Sequence, residues 1–192
     1  MGSIELIYDF FEDHVRASLQ VIERRPIALG MLGFALGGLS VFIAQALTGR
    51  LTLLSFSWPS FGVVIGWKII SGFVLAAVLH LILDLQGIKG NVAALFILFG
   101  LADLAWALAL PLVLVFRVIL SSSTLPATLI FFGTGVLVLS LKARSIQDVY
   151  RVGSGKAWFT LGLPYLGALL GSMLMFGLLM LKLILELVKA ID

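Results

Sequence analysis

Apolar residues run along this chain in blocks too long for a water-soluble fold. Five stretches, 27–47, 62–85, 92–116, 125–141 and 157–181, are almost unbroken by charge. About 20 such residues cross the hydrocarbon core of a bilayer as a helix, so each stretch predicts a spanning helix. The fourth is short and is expected to draw on the Ser121–Thr124 side, where hydroxyls can cap a helix and Pro126 fits its first turn. Outer-membrane barrels alternate polar and apolar positions over about ten residues per strand, and these runs do not alternate. Lipid leaves no partner for open backbone groups. The expected fold is therefore all-α, a polytopic bundle of five transmembrane helices occupying 26–192.

Residues 1–25 follow a different pattern. On a helical wheel Ile4, Ile7, Phe11, Val15, Leu19 and Ile22 share one face, with Tyr8 beside them. Glu5, Asp9, Glu12, Asp13, Arg16, Gln20 and Glu23 fall opposite. This 3.6-residue period predicts one amphipathic helix over 4–24, docked through its Ile/Phe face and ended by Pro26. Five carboxylates and no apolar central region argue against a signal peptide.

Composition agrees with the pattern: 61% of the 192 residues are hydrophobic and 12% charged, with no cysteine. That is about half the charge of a soluble domain. It excludes a disulfide scaffold and a nucleic-acid-binding domain. The lipid bilayer is the one partner the composition names. The net charge is +3, and the cations are spread along the chain. They act as topology determinants. Arg16, Arg24, Arg25, Lys89, Lys142, Arg144, Arg151 and Lys156 fall on the N-terminal side, against Arg50, Lys68, Arg117, Lys182 and Lys189 on the other. The N-terminus is expected in the cytoplasm and the C-terminus outside. Lys89, Lys142, Arg144, Arg151 and Lys156 are the cytoplasmic-face candidates. Trp58 and Trp158 fall where interfacial aromatics are expected.

Ionisable residues inside spans cost about 2.5–3.5 kcal/mol on insertion scales, so each calls for a reason. Asp103 lies ~16 Å into the third span by helical rise, on a stripe with Gly100 and Ala107. No cation is expected at its depth, since Lys68 is assigned to the outer end, so the carboxyl is expected neutral. His80 and Asp84, at i and i+4, can pair. His80 and Asp103, with Tyr165, form a candidate intramembrane polar site. Lys182 and Glu186 read as a solvated pair. Gly33–Gly37, Gly62–Gly66 and Gly167–Gly171 match the small-xxx-small spacing of close helix packing, within the bundle or between copies in a homo- or hetero-oligomer.

Enzyme motifs fail individually. Gly153-Ser154-Gly155-Lys156 lacks the first glycine and the final Ser/Thr of a phosphate loop. Asp103 has no second mid-membrane aspartate with which to share a proton. Two histidines and no cysteine give no metal site and no cofactor.

Two stretches carry a family resemblance. His80-Leu81-Ile82-Leu83-Asp84-Leu85-Gln86-Gly87-Ile88-Lys89-Gly90 is similar to the His-Leu and Gly-Gly-Lys-Gly link of the Yip family, the Ypt/Rab-interacting membrane proteins and their bacterial relatives. Val152-Gly153-Ser154-Gly155-Lys156-Ala157, followed by Leu163-Pro164, resembles the segment leading into that family's last span. Ile88 stands where the family has glycine, and Leu108-Ala109-Leu110-Pro111 replaces a Tyr-Ala-x-x-Pro. The resemblance implies five spans, a cytosolic N-terminus, a bacterial inner-membrane location and no catalysis; a Rab partner is not implied. The leading expectation is a non-enzymatic membrane scaffold or adaptor whose protein partner the sequence does not identify. The rival is a small proton- or ion-coupled carrier built on His80 and Asp103.

Overall fold

The computed structural model describes residues 3–49, 55–119 and 124–191, and every regular element among them is helical. The elements are α1 (Ser3–Glu12), α2 (His14–Arg24), α3 (Ile27–Leu47), α4 (Trp58–Leu85), α5 (Val92–Asp103), a 3-10 segment (Leu104–Leu108), α6 (Ala109–Ile119), α7 (Thr124–Tyr150) and α8 (Ser154–Ile191). Five segments are long and apolar enough to cross a membrane: Ile27–Leu47, Trp58–Leu85, Val92–Ile119, Leu125–Tyr150 and Ser154–Ile184. The all-α five-span bundle expected from the hydrophobic pattern is what the chain forms. We call proximal the end that carries α1, α2 and the α4–α5 and α7–α8 connections, and distal the opposite end.

The fourth span differs from expectation. It is long, and it grows at its C-terminal end, through the residues read as a connecting loop. No proline or glycine interrupts 142–150. Ala143, Ile146, Val149 and Tyr150 keep a buried stripe running, so the helix continues until Arg151 takes a left-handed φ of 52°. The hydroxyls at 121–123 lie outside the described residues.

α5 is the central helix. Every residue from Ala94 to Asp103 is buried, against α3, α4, α7 and α2. Its start is capped by Asn91, whose side chain accepts from the Ala93 and Ala94 amides at 3.0 and 3.2 Å. α3 meets it backbone to backbone. A Cβ on Gly33 would strike the Gly100 carbonyl, one on Gly37 the Asp103 carbonyl, and one on Gly30 would lie 2.8 Å from the Ile97 Cα. The Gly33–Gly37 pair is therefore spent inside the bundle, as small residues are in lipid, where van der Waals contact replaces the hydrophobic drive. Among the described residues, Gly62, Gly66, Gly167 and Gly171 face no neighbour. The 3-10 segment after Asp103 precedes Pro111, which cannot donate to Ala107 and crowds its carbonyl.

The periphery is sparse. The third span's most apolar window is 67% buried and the fifth's is 0%. α8 touches the bundle through its first turns, where Ala157, Thr160 and Leu161 are buried. Lys182 and Glu186 lie 3.7 Å apart and exposed, as expected. Trp58 opens α4 and is 85% exposed; Trp158 sits in the first turns of α8.

The N-terminal segment is two helices, not one. Asp13 interrupts it (φ −130°, ψ 81°) and caps α2 by accepting from the Arg16 amide. The break shifts the helical phase, so the face that docks is Leu6, Phe10, Ala17 and Val21. Of the expected docking residues, Ile7 and Ile22 pack against the core half-buried, and Ile4, Phe11, Val15 and Leu19 are exposed instead.

The backbone contacts of α3 generate a stability prediction. Gly33→Leu should prevent formation of a monodisperse bundle, or lower its melting temperature sharply, because the obstructing atoms are backbone. Gly62→Leu should melt within a degree or two of the parent. Differential scanning fluorimetry and size-exclusion chromatography in detergent check both.

Candidate functional site

Asp103 ends α5 halfway through its span and is 1% exposed. Two lysines reach it. Lys68, ten residues into α4, donates from Nζ to Oδ2 at 3.2 Å. Lys142, on α7, places Nζ 2.7 Å from Oδ1. The second contact is ionic without hydrogen-bond alignment, and Oδ1 accepts no hydrogen bond. The expectation that no cation shares the depth of Asp103 is overturned. By helical rise Lys68 lies ~15 Å inside the distal end of α4 and Lys142 ~12 Å inside the proximal end of α7. Their long stems let both heads converge on one carboxylate.

Two cations on one anion leave a formal +1. Aromatic faces take part of it: the Lys68 ammonium lies 5.9 Å from the Trp106 ring centre, and that of Lys142 lies 5.6 Å from Phe99. The triad ties α4, α5 and α7 together, and the stem of Lys68 fills the space beside Gly38 of α3. Side-chain exposure is 2% for Asp103, 10% for Lys142 and 28% for Lys68. Lys68 is the member nearest the surface.

Lys142, expected at the cytoplasmic face, is a buried span residue instead. A signal was present. Val138, Lys142, Ser145 and Val149 fall at i, i+4, i+7 and i+11, one helix stripe, and its other three members are buried with it. Lys68 likewise shares a stripe with the buried Gly72, Ala76, Leu79 and Leu83. Lys89, Arg144, Arg151 and Lys156 are exposed at the proximal end.

His80 does not join Asp103. Its Nδ1 lies 2.8 Å from the Tyr150 hydroxyl, which seats α7 on α4, and Gly90 lies flat against the Tyr150 ring. Asp84 turns to the surface. Tyr165 is 49% exposed and makes no hydrogen bond to Asp103. The polar site expected from the sequence thus divides, and its strongest member acquires partners the sequence reading placed elsewhere.

A second polar cluster was not anticipated. His14 Nδ1 lies 2.6 Å from Asp148 Oδ2, and His14 Nε2 lies 3.4 Å from Ser145 Oγ. The connectivity is that of a hydrolytic triad, but the serine is not free to react. Ser145 is fully buried and donates its proton to the Leu141 carbonyl at 2.9 Å. The cluster clamps the start of α2 to the proximal end of α7. Among the described residues no group of three or more His, Cys, Asp or Glu side chains is placed to hold a metal.

Compared with protein-family models, with curated proteins and with solved structures, the chain finds no match in any of the three.

Two predictions follow from these clusters. Asp103→Asn should destabilise the bundle by about 3–5 kcal/mol, because removing one partner strands buried charge. The combined replacement Asp103→Leu, Lys68→Met and Lys142→Met should recover much of that loss; chemical denaturation in detergent measures both. Asp148→Asn should leave the span core intact and release α2, seen as faster tryptic cleavage after Arg16 and Arg24.

Proposed function

We propose that this chain is a non-enzymatic integral membrane protein of Yip type, acting as a membrane scaffold or adaptor through its proximal face. One observation carries the reading. Among the described residues, the one helix that bears a mid-span carboxylate is buried from Ala94 to Asp103, and that carboxylate is clamped between two lysines. A charge committed in this way fixes the register of α4, α5 and α7; a carrier needs its charge released and recaptured. The placement of His80 near the end of α4, the turn through Gly87 to Gly90 and the Val152–Ala157 lead into the last span support the family likeness.

The exposed proximal cations, Arg16, Arg24, Arg25, Lys89, Arg144, Arg151 and Lys156, support a cytoplasmic N-terminus in a bacterial inner membrane. With Lys142 and Lys68 assigned to the interior, Arg117 and Lys182 are the exposed cations of the distal end among the described residues. The bias in charge therefore keeps its sign.

A second reading has one specific observation in its favour. The 3-10 segment begins at the residue after Asp103, and tight helix placed mid-span often marks a hinge. A carrier would use that hinge to exchange Asp103 between Lys68 and Lys142. The uncovered glycines of α4 and α8 would suit an oligomer under either reading.

Proton and chloride flux in proteoliposomes decides between the two. Under the scaffold reading the parent and the all-apolar triad variant are equally silent, and the variant still reverses whatever growth phenotype follows from deleting the gene. Flux that disappears with Asp103→Asn, while the protein remains folded, establishes the carrier. Reporter fusions before Ile4 and after Asp192 should read cytoplasmic and external; the same side for both ends removes the five-span topology.

A further inference from the structure

α1 and α2 have three sectors each, not two. At ~100° per residue, Leu6 and Phe10 of α1 point into the bundle, and the rest of the circumference divides into an uncovered apolar flank of Ile4, Tyr8 and Phe11 and, next to it, an acidic one of Glu5 and Glu12. In α2, Ala17, Ser18 and Val21 face the bundle, Arg16 and Glu23 face away, and Val15 and Leu19 lie uncovered. The exposures on these flanks are 82% for Ile4, 64% for Tyr8, 49% for Phe11, 59% for Val15 and 57% for Leu19. On α1 the flank forms an open apolar cavity of about 480 Å³ lined by Ile4, Ile7, Tyr8, Phe11 and Glu12.

The position of this flank is set by its attachments. Only Arg25 and Pro26 separate α2 from the spanning helix α3, so the end of α2 cannot leave the membrane surface. Its start is held by His14 to Asp148, two residues before the last residue of the fourth span. Both ends of α2 are thus pinned where spanning helices leave the hydrocarbon, and α2 lies along that boundary. α1 follows directly after one intervening residue, Asp13, and packs on α2.

We propose that the uncovered flank of α1 and α2 is seated in the headgroup and upper acyl region of the adjoining leaflet, so that the N-terminal pair is an interfacial membrane anchor fused to the bundle. Tyr8 suits that depth, with its ring on the apolar side and its hydroxyl toward Glu12; the Glu12 carboxylate pushes the phenol above its ordinary pKa. Charge selects the kind of surface. Over residues 3–25 five carboxylates outweigh three arginines, a net −2. Helices that bind anionic lipid carry Lys/Arg on their polar face. This one seats through apolar area in a zwitterionic surface.

The chain has no cysteine, so single-cysteine variants report cleanly. Phe11→Cys, Leu19→Cys, Glu12→Cys and Glu23→Cys, each spin-labelled in the full-length protein in phosphatidylcholine vesicles, are compared by collision with oxygen and with a water-soluble nickel chelate. The expected result is a several-fold excess of oxygen over nickel collisions at 11 and 19, and the reverse at 12 and 23. Nickel accessibility at 11 and 19 equal to that at 12 would overturn the proposal, since the flank would then face water. Protection of 11 and 19 from both reagents would overturn it too, because a protein, a second copy or another partner, would be covering the flank. All four sites are exposed, so labelling should leave the melting temperature in detergent unchanged.

Discussion

A carboxylate halfway across an apolar layer has to be neutralised from within the protein, and the arrangement of this bundle follows from how that is done. Asp103 cannot reach water by bending, because it ends a helix buried on every side. The charge is met by two lysines from different helices and opposite directions. Each lysine can do this because its stem is long enough to cover about one turn of helix, ~5.4 Å. The consequence is geometric: α4, α5 and α7 are held at one height relative to one another. A one-turn slip of any of them, ~5.4 Å, would carry an ammonium out of reach and leave a buried charge unpaired.

The glycines of α3 serve the same point from the other side. Gly33 and Gly37 bring the α3 backbone onto Gly100 and Asp103, closing the path by which solvent would approach the triad from that face. The 3-10 segment continues the packing against α3, with Ala105 buried. Pro111 imposes this segment by removing one backbone donor, and Trp106, carried on that segment, lies over Lys68. Backbone irregularity and ion pairing thus occupy the same layer of the membrane, which is where any motion in this protein has to be resisted or used.

The proximal end is organised by a second set of polar contacts. His14 with Asp148, and His80 with Tyr150, attach α2 and α4 to the last turns of α7. α7 is therefore the element that both clusters share: Lys142 engages the mid-span triad, and Ser145, Asp148 and Tyr150 engage the surface. Coupling between the core and the proximal face would run along this single helix, over about two turns.

The sequence alone determined the class of the fold. Hydrophobic blocks near 20 residues long admit no other solution in lipid, and all five starting points and four of the five ends lie within four residues of the observed ones, the exception being the end of the fourth span, expected at 141 and found at Tyr150. It also placed Asp103 at mid-depth and facing inward, because helical rise and the small-residue stripe depend on local geometry only. Tertiary structure decided which charges meet. Lys142 looked like a loop residue because charge density marks loops on average, whereas a buried partner on another helix reverses its meaning. The docking face of residues 4–24 was misassigned for a related reason. A helical wheel assumes unbroken phase, and the Asp13 cap breaks it; with apolar residues on more than half of the circumference of α1, only the bundle chose which part to cover. Pairing and phase are relations between distant segments, and they enter the energy only once the chain has folded.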